Sequence, residues 1–162
     1  MKSSKTSALS YDEALAKAAK LCSKGEKSRK DIQKKLEDWH VAKSEHKKII
    51  EQLEQEQFID ETRYAETYVR EKFHLNGWGR HKLRHGLKSK GIPSAIIKDA
   101  IQVIDEEEYL SKLLEILRKK RASLKEDDPL KRKAKLVRHA AGKGFEESLV
   151  KESISQLLPE EE

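Results

Sequence analysis

Residues 58–104, FIDETRYAETYVREKFHLNGWGRHKLRHGLKSKGIPSAIIKDAIQVI, read as three short helices: Asp60 to about Leu75, Gly79 to about Lys90, and Pro93 to about Ile104. Each junction has a local cause. Asp60 is an N-cap acceptor, while Asn76-Gly77 and Gly91 are residues that leave a helix with little strain. Pro93 suits a first helical turn, where its missing N–H has no intrahelical partner. On the middle helix Leu83, Gly86 and Leu87 share one face, and His81, Arg84, His85 and Lys88 share the other. Arg70 to Lys90 holds seven Lys/Arg against Glu71, a net of +6, equal to the net charge of the whole chain. The remaining residues therefore balance.

Working outward, the same pattern returns on both sides. A shift of 51 residues places Ile32 on Leu83, Leu36 on Leu87, Val41 on Ile92 and Ile50 on Ile101. A shift of 53 places Leu83 on Leu136, Leu87 on Ala140, Gly91-Ile92 on Gly144-Phe145 and Ile101 on Ile154. Ser28-x-x-Asp31 is a capping box with Asp in place of Glu, and Asp128-Pro129 supplies an N-cap and first turn. The expected fold class is all-α: an elongated, curved, solenoid-like array of three three-helix repeats over 11–57, 58–105 and 106–158. A flexible tail is expected over 1–10 and an acidic tail over 159–162. Units this small expose apolar faces that neighbours are expected to cover.

Charge follows the repeat. Lys24 to Lys35 nets +4, Arg118 to Arg138 is again basic, and Glu51 to Glu61 and Asp105 to Glu108 net −5 and −4. Stacking the units in phase gives a positive track suited to a polyanion. Cys22 is the only cysteine, so no internal disulfide forms and a reducing, cytoplasmic setting is expected. No apolar run approaches bilayer length, and no membrane association is expected. Catalysis has little support: there is no phosphate-cradling glycine loop, no G-x-S-x-G and no metal quartet. His81 and His85 stand at i, i+4 without a Glu or Cys ligand and read as added positive charge at low pH. No cofactor is expected.

Phe58-Ile59-Asp60, Arg63-Tyr64-Ala65-Glu66, Tyr68-Val69-Arg70, Gly77-Trp78-Gly79-Arg80 and Lys88-Ser89-Lys90-Gly91-Ile92 together resemble the central repeat of the RecX family, bacterial regulators of the RecA recombinase. The resemblance implies a non-enzymatic protein, a monomer, that binds in the groove of the RecA filament on single-stranded DNA. There it would inhibit strand exchange, ATP hydrolysis and co-protease activity, placing it in homologous recombination, DNA repair and the SOS response. Carried to this sequence, the contacts are Arg70, Lys72, Arg80, Lys82, Arg84, Lys88 and Lys90, with Lys131, Arg132, Lys135 and Arg138 added by phase. Arg80 stands where many relatives have proline. Trp78 either stacks on a base or packs under the first helix with Tyr68 and Phe73, the commoner fate of a tryptophan. Two other readings remain open: a helix-turn-helix-like reader of duplex DNA built on Gly79 to Lys90 and Pro93 to Ile104, and a pure protein-interaction scaffold.

Overall fold

The computed structural model describes residues 8–157, so most of the tail expected over 1–10, together with Leu158 and the tail expected over 159–162, lies outside the described residues. The described residues form nine helices and no strand. In the first repeat these are α1 (Tyr11–Lys24), α2 (Arg29–Asp38) and α3 (Lys43–Gln55). The second holds α4 (Glu61–Asn76), α5 (Arg80–Ser89) and α6 (Ser94–Ile101), and the third α7 (Glu106–Ser123), α8 (Pro129–Gly142) and α9 (Glu147–Leu157).

Capping accounts for the starts. Ser28 and Asp31 exchange both bonds of a capping box, and Ser10 with Glu13 does the same for α1. Asp60, Asp105 and Asp128 each accept from a backbone N–H of the first turn, satisfying donors that have no helical partner. One boundary differs from expectation. Pro93 is the N-cap of α6, with ψ 147°, and that helix ends at Ile101. The next residues close by shorter bonds, Gln102 N to Asp99 O and Val103 N to Ala100 O, which still leave Ile104 buried.

The repeat is a packing repeat. Ile32, Leu83 and Leu136 are equivalent and fully buried, as are Leu36, Leu87 and Ala140. After each middle helix one residue takes positive φ: His40, Gly91 and Gly144. The chain then returns its next N–H to the helix by the same bond, Val41 N to Leu36 O, Ile92 N to Leu87 O and Phe145 N to Ala140 O, at 3.0, 3.2 and 3.1 Å.

The two junctions between repeats differ, which corrects the expectation that every unit relies on its neighbour for a core. Repeat 1 closes its own cluster around Ala14, Ile32, Leu36, Ile49 and Leu53. Phe58 and Ile59, read as the start of the second unit, pack into that first cluster. Its junction with repeat 2 is polar: Arg63 on Glu26, Lys90 on Asp31, Lys30 on the Ser89 carbonyl and Arg29 N–H on Glu61. Repeats 2 and 3 instead share one continuous core, through which Phe73, Tyr109 and Phe145 form a run of rings with centroids 6.0 and 5.0 Å apart.

At that second junction the backbones touch. Gly79 N donates to Lys143 O at 2.8 Å and His81 N to Gly144 O at 2.9 Å. A Cβ on Gly79 would sit 2.5 Å from the Gly144 carbonyl carbon, and one on Gly144 would meet Lys82 Cβ at the same distance. Gly79→Ala is therefore expected to cost about 3 kcal/mol, the upper range for overpacking a fixed contact. Denaturant unfolding measures the cost, and faster amide exchange at His81 than in the wild type places the opening at this junction.

Candidate nucleic-acid interface

The α5 helix positions the cations. Its buried Leu83 and Leu87 fix its rotation, and Gly86 lets α4 come close: a Cβ there would lie 1.9 Å from the Tyr68 hydroxyl. Arg84 and Lys88 consequently project outward one turn apart and are exposed. They line an open groove of about 840 Å³ between repeats 2 and 3, beside His85 of α5 and Lys98 of α6. Its apolar floor includes Ile97, Ile101 and Ile104.

Arg80 has a different part, and its expected place on an open cationic face is corrected. Its side chain is 17% exposed and binds Glu106 at 2.7 Å and Glu146 at 3.0 Å. The guanidinium lies 3.7 Å from the Tyr109 ring centroid, and the Tyr109 hydroxyl donates to Glu146 while accepting from Arg80 N. Burial pushes the Glu146 carboxyl up, but the bonds from Tyr109 and Arg80 outweigh it and hold it below the ordinary carboxylate range. Arg80 thus pairs with Glu106 and Glu146, two of the three acids that line the groove, while Asp105 caps α7 and Arg84, Lys88 and Lys98 bring positive charge.

The other expected contacts divide by partner. Lys90 bonds Asp31, Lys135 bonds Glu126 and Arg70 lies 3.8 Å from Glu66, while Arg132 donates to the Glu126 carbonyl. Lys72 and Lys82 reach over the Trp78 ring at 5.2 and 4.8 Å from its centroid. Trp78 itself is half-buried and edge-on to Tyr68 at 6.3 Å, whereas Phe73 pairs with Tyr109. Arg84, Lys88 and Arg138 are exposed and form no ion pair among the described residues, while the exposed Lys131 adds its charge to the bond from Lys135 that holds the Glu126 carboxyl low. The cations expected to form one track are therefore separated into structural pairs and open charges by the molecule's own carboxylates. His81 and His85 are exposed, and no cluster of metal-ligating residues occurs among the described residues.

Two groups escaped the sequence reading. Lys98 joins Arg84 and Lys88 because α6 folds back on α5, and only the spacing of Ser94 and Lys98 on one face hinted at it. Lys112, Lys119, Lys120 and Lys143 gather beside His139 where the end of α4 meets α7 and α8. Burial, with the charges of Lys120 and Lys143, holds the His139 imidazole below its ordinary value. Three of these lysines lie on α7, where Lys112 and Lys119 pair with Glu115, and Lys143 is the C-cap of α8, so only the folded chain brings Lys143 and His139 to them. No helix among the described residues is long and apolar enough to cross a membrane.

Comparison with known proteins gives consistent matches. Residues 60–101 match the family profile described as RecX, second three-helix domain, and residues 106–154 match RecX, third three-helix domain. The chain is 30% identical over 154 residues to the regulatory protein RecX of Clostridium acetobutylicum, covering 93% of this chain and 71% of the relative. It is 33% identical over 141 residues to that of Chlorobium phaeobacteroides, covering 87% and 91%. The crystal structure of RecX from Lactobacillus salivarius superposes with a TM-score of 0.83 at 22% identity over 92% of this chain and 97% of that one, a likeness of fold.

Arg80→Ala is expected to destabilise the protein by about 2 kcal/mol, because Glu146 and the Tyr109 ring lose a half-buried, hydrogen-bonded partner. Glu146 titrates lower in the folded chain than the roughly 4.3 of an unfolded glutamate, so its contribution is present above that value and lost as the pH falls through the folded one. Melting temperatures of wild type and Glu146→Gln, measured from neutral to strongly acidic pH, are expected to differ near neutrality and to converge at the acid end.

Proposed function

This chain belongs to the RecX family of regulatory proteins, and we propose that it binds along the filament that RecA forms on single-stranded DNA and restrains strand exchange, ATP hydrolysis and co-protease activity. The observation that carries this reading is the groove between repeats 2 and 3. Its open cations Arg84 and Lys88 stand one helical turn apart over an apolar floor, with Lys98 beside them, while Arg80 occupies Glu106 and Glu146, two of the three acids at its rim. Phosphates attract such a pair without reference to base sequence, which suits a partner met along its whole length. The family's relatives are named regulatory proteins, and we read this one as a regulator of DNA repair and recombination and not as an enzyme.

RecA-catalysed, DNA-dependent ATP hydrolysis tests the reading directly. Inhibition is expected well below one molecule per recombinase subunit, and undiminished hydrolysis at equimolar protein would refute it. Replacing Arg84 and Lys88 by Ala is expected to leave the melting temperature unchanged, since both are exposed, and to raise the concentration needed for inhibition. The slope of log affinity against log salt on poly(dT) should become shallower by about 1.4, as two single-strand phosphate contacts are lost.

A further inference from the structure

The α5 helix separates two cationic faces. Lys82 precedes Arg84 by two residues, roughly 200° around the helix axis, and so points away from the groove that Arg84 and Lys88 line. It lies over the Trp78 ring at 4.8 Å from the centroid, with Lys72 at 5.2 Å. Lys82 Cβ sits against Gly144, and Lys143, the residue before that glycine, carries its side chain over Gly77, next to Trp78. From Lys143 the face continues into a second groove, of about 540 Å³, bounded by the end of α4, by α7 and by the end of α8. There Lys120 and Lys143 flank His139.

The acids of this face are already engaged. Glu115 lies 3.3 Å from Lys119 and 3.6 Å from Lys112, and Glu108, at the edge, lies 3.8 Å from His74. Lys72, Lys82, Lys120 and Lys143 are half-buried and form no ion pair among the described residues. An ammonium partly withdrawn from water without a carboxylate beside it remains available to an anion. Burial, followed by the charges of Lys120 and Lys143, holds the His139 imidazole below its ordinary value, so the positive field acts on its nearest ring.

The aromatic ring among the lysines selects the anion. Trp78 is half-buried, and Leu75, 82% exposed, stands at the rim of the adjoining groove. A single strand presents a phosphate at every residue together with an unpaired base that can stack on an indole, whereas a duplex hides its base faces. An acidic protein segment would meet the ammoniums but lacks a planar group beside each charge. We propose that this face binds single-stranded nucleic acid, with Lys72, Lys82, Lys120 and Lys143 on its phosphates and a base stacked on Trp78. One molecule then holds two polyanion segments, on opposite sides of α5. The lysines that cover the ring in the free protein pass to phosphate as the base takes their place. Occupancy of the α5 groove rests on the function proposed above; the Trp78 face does not.

The chain has two tryptophans, so Trp39→Phe leaves Trp78 as the sole one and its fluorescence reports stacking. Titration with poly(dT), without recombinase, is expected to quench that emission saturably. Arg84→Ala with Lys88→Ala is expected to leave the quench in place. Lys120→Gln with Lys143→Gln keeps most of each aliphatic stem, and melting followed by circular dichroism checks the fold. In this variant the slope of log affinity against log salt, read from the quench, is expected to be shallower by about 1.4, for two single-strand phosphate contacts. Poly(dT) that binds by anisotropy without changing Trp78 emission overturns the proposal, as does a wild type that does not bind poly(dT). A quench abolished by the α5 pair and untouched by the Lys120 and Lys143 pair returns the strand to the α5 groove and overturns it too. So does a Lys120 and Lys143 variant that loses RecA filaments but keeps poly(dT), which makes the occupant an acidic protein surface. Undiminished RecA ATP hydrolysis with the quench intact removes the proposed function and supports this face, so the two readings fail separately.

Discussion

The close approach of two glycines holds the candidate interface together. Where Gly79 and Gly144 meet, the start of α5 donates two backbone hydrogen bonds, at 2.8 and 2.9 Å, to carbonyls of the turn after α8, an approach that leaves no room for a Cβ. Backbone bonds fix direction as well as separation. They hold α5 against repeat 3, and the Arg80, Tyr109 and Glu146 network closes over the contact. The groove carrying Arg84 and Lys88 exists because these two segments cannot move apart independently.

Its counterpart between repeats 1 and 2 uses the same positions with different chemistry. The start of α2 meets the turn after α5, but the links are the side chains of Lys30 and Lys90, joined by Arg63 on Glu26. Exposed ion pairs of this sort contribute less than about 1 kcal/mol each and weaken with salt, whereas a shared apolar core does not. Repeat 1 carries its own buried cluster and repeats 2 and 3 share theirs. The array is thus one self-contained unit joined through charge to a pair that shares a core.

Charge in this protein has three uses that composition cannot separate. Arg80 and Lys90 bind repeats together, Lys72 and Lys82 lie over Trp78, and Arg84 and Lys88 remain open. Equivalent positions change use along the chain: Arg84 becomes Val137 and Lys88 becomes Ala141, so the open cations of α5 have apolar counterparts on α8. Tandem repeats allow this because burial constrains only the inward positions, such as Ile32, Leu83 and Leu136, leaving the outward ones to vary.

Helix number, the caps at Ser28, Asp60 and Asp128, and the shifts of 51 and 53 residues were all legible in the sequence, because each depends on bonds or spacings within a few residues. So was the buried register, since an apolar face recurs at the helical period whatever it packs against. The partner of a cation was not legible. Arg80 meets Glu106 and Glu146, 26 and 66 residues away, and Lys90 meets Asp31 across 59. Lys98 joins the groove only when α6 folds back on α5. Local physics wrote the helices and their core; long-range packing alone decided which charges were consumed in holding the repeats and which were left for another molecule.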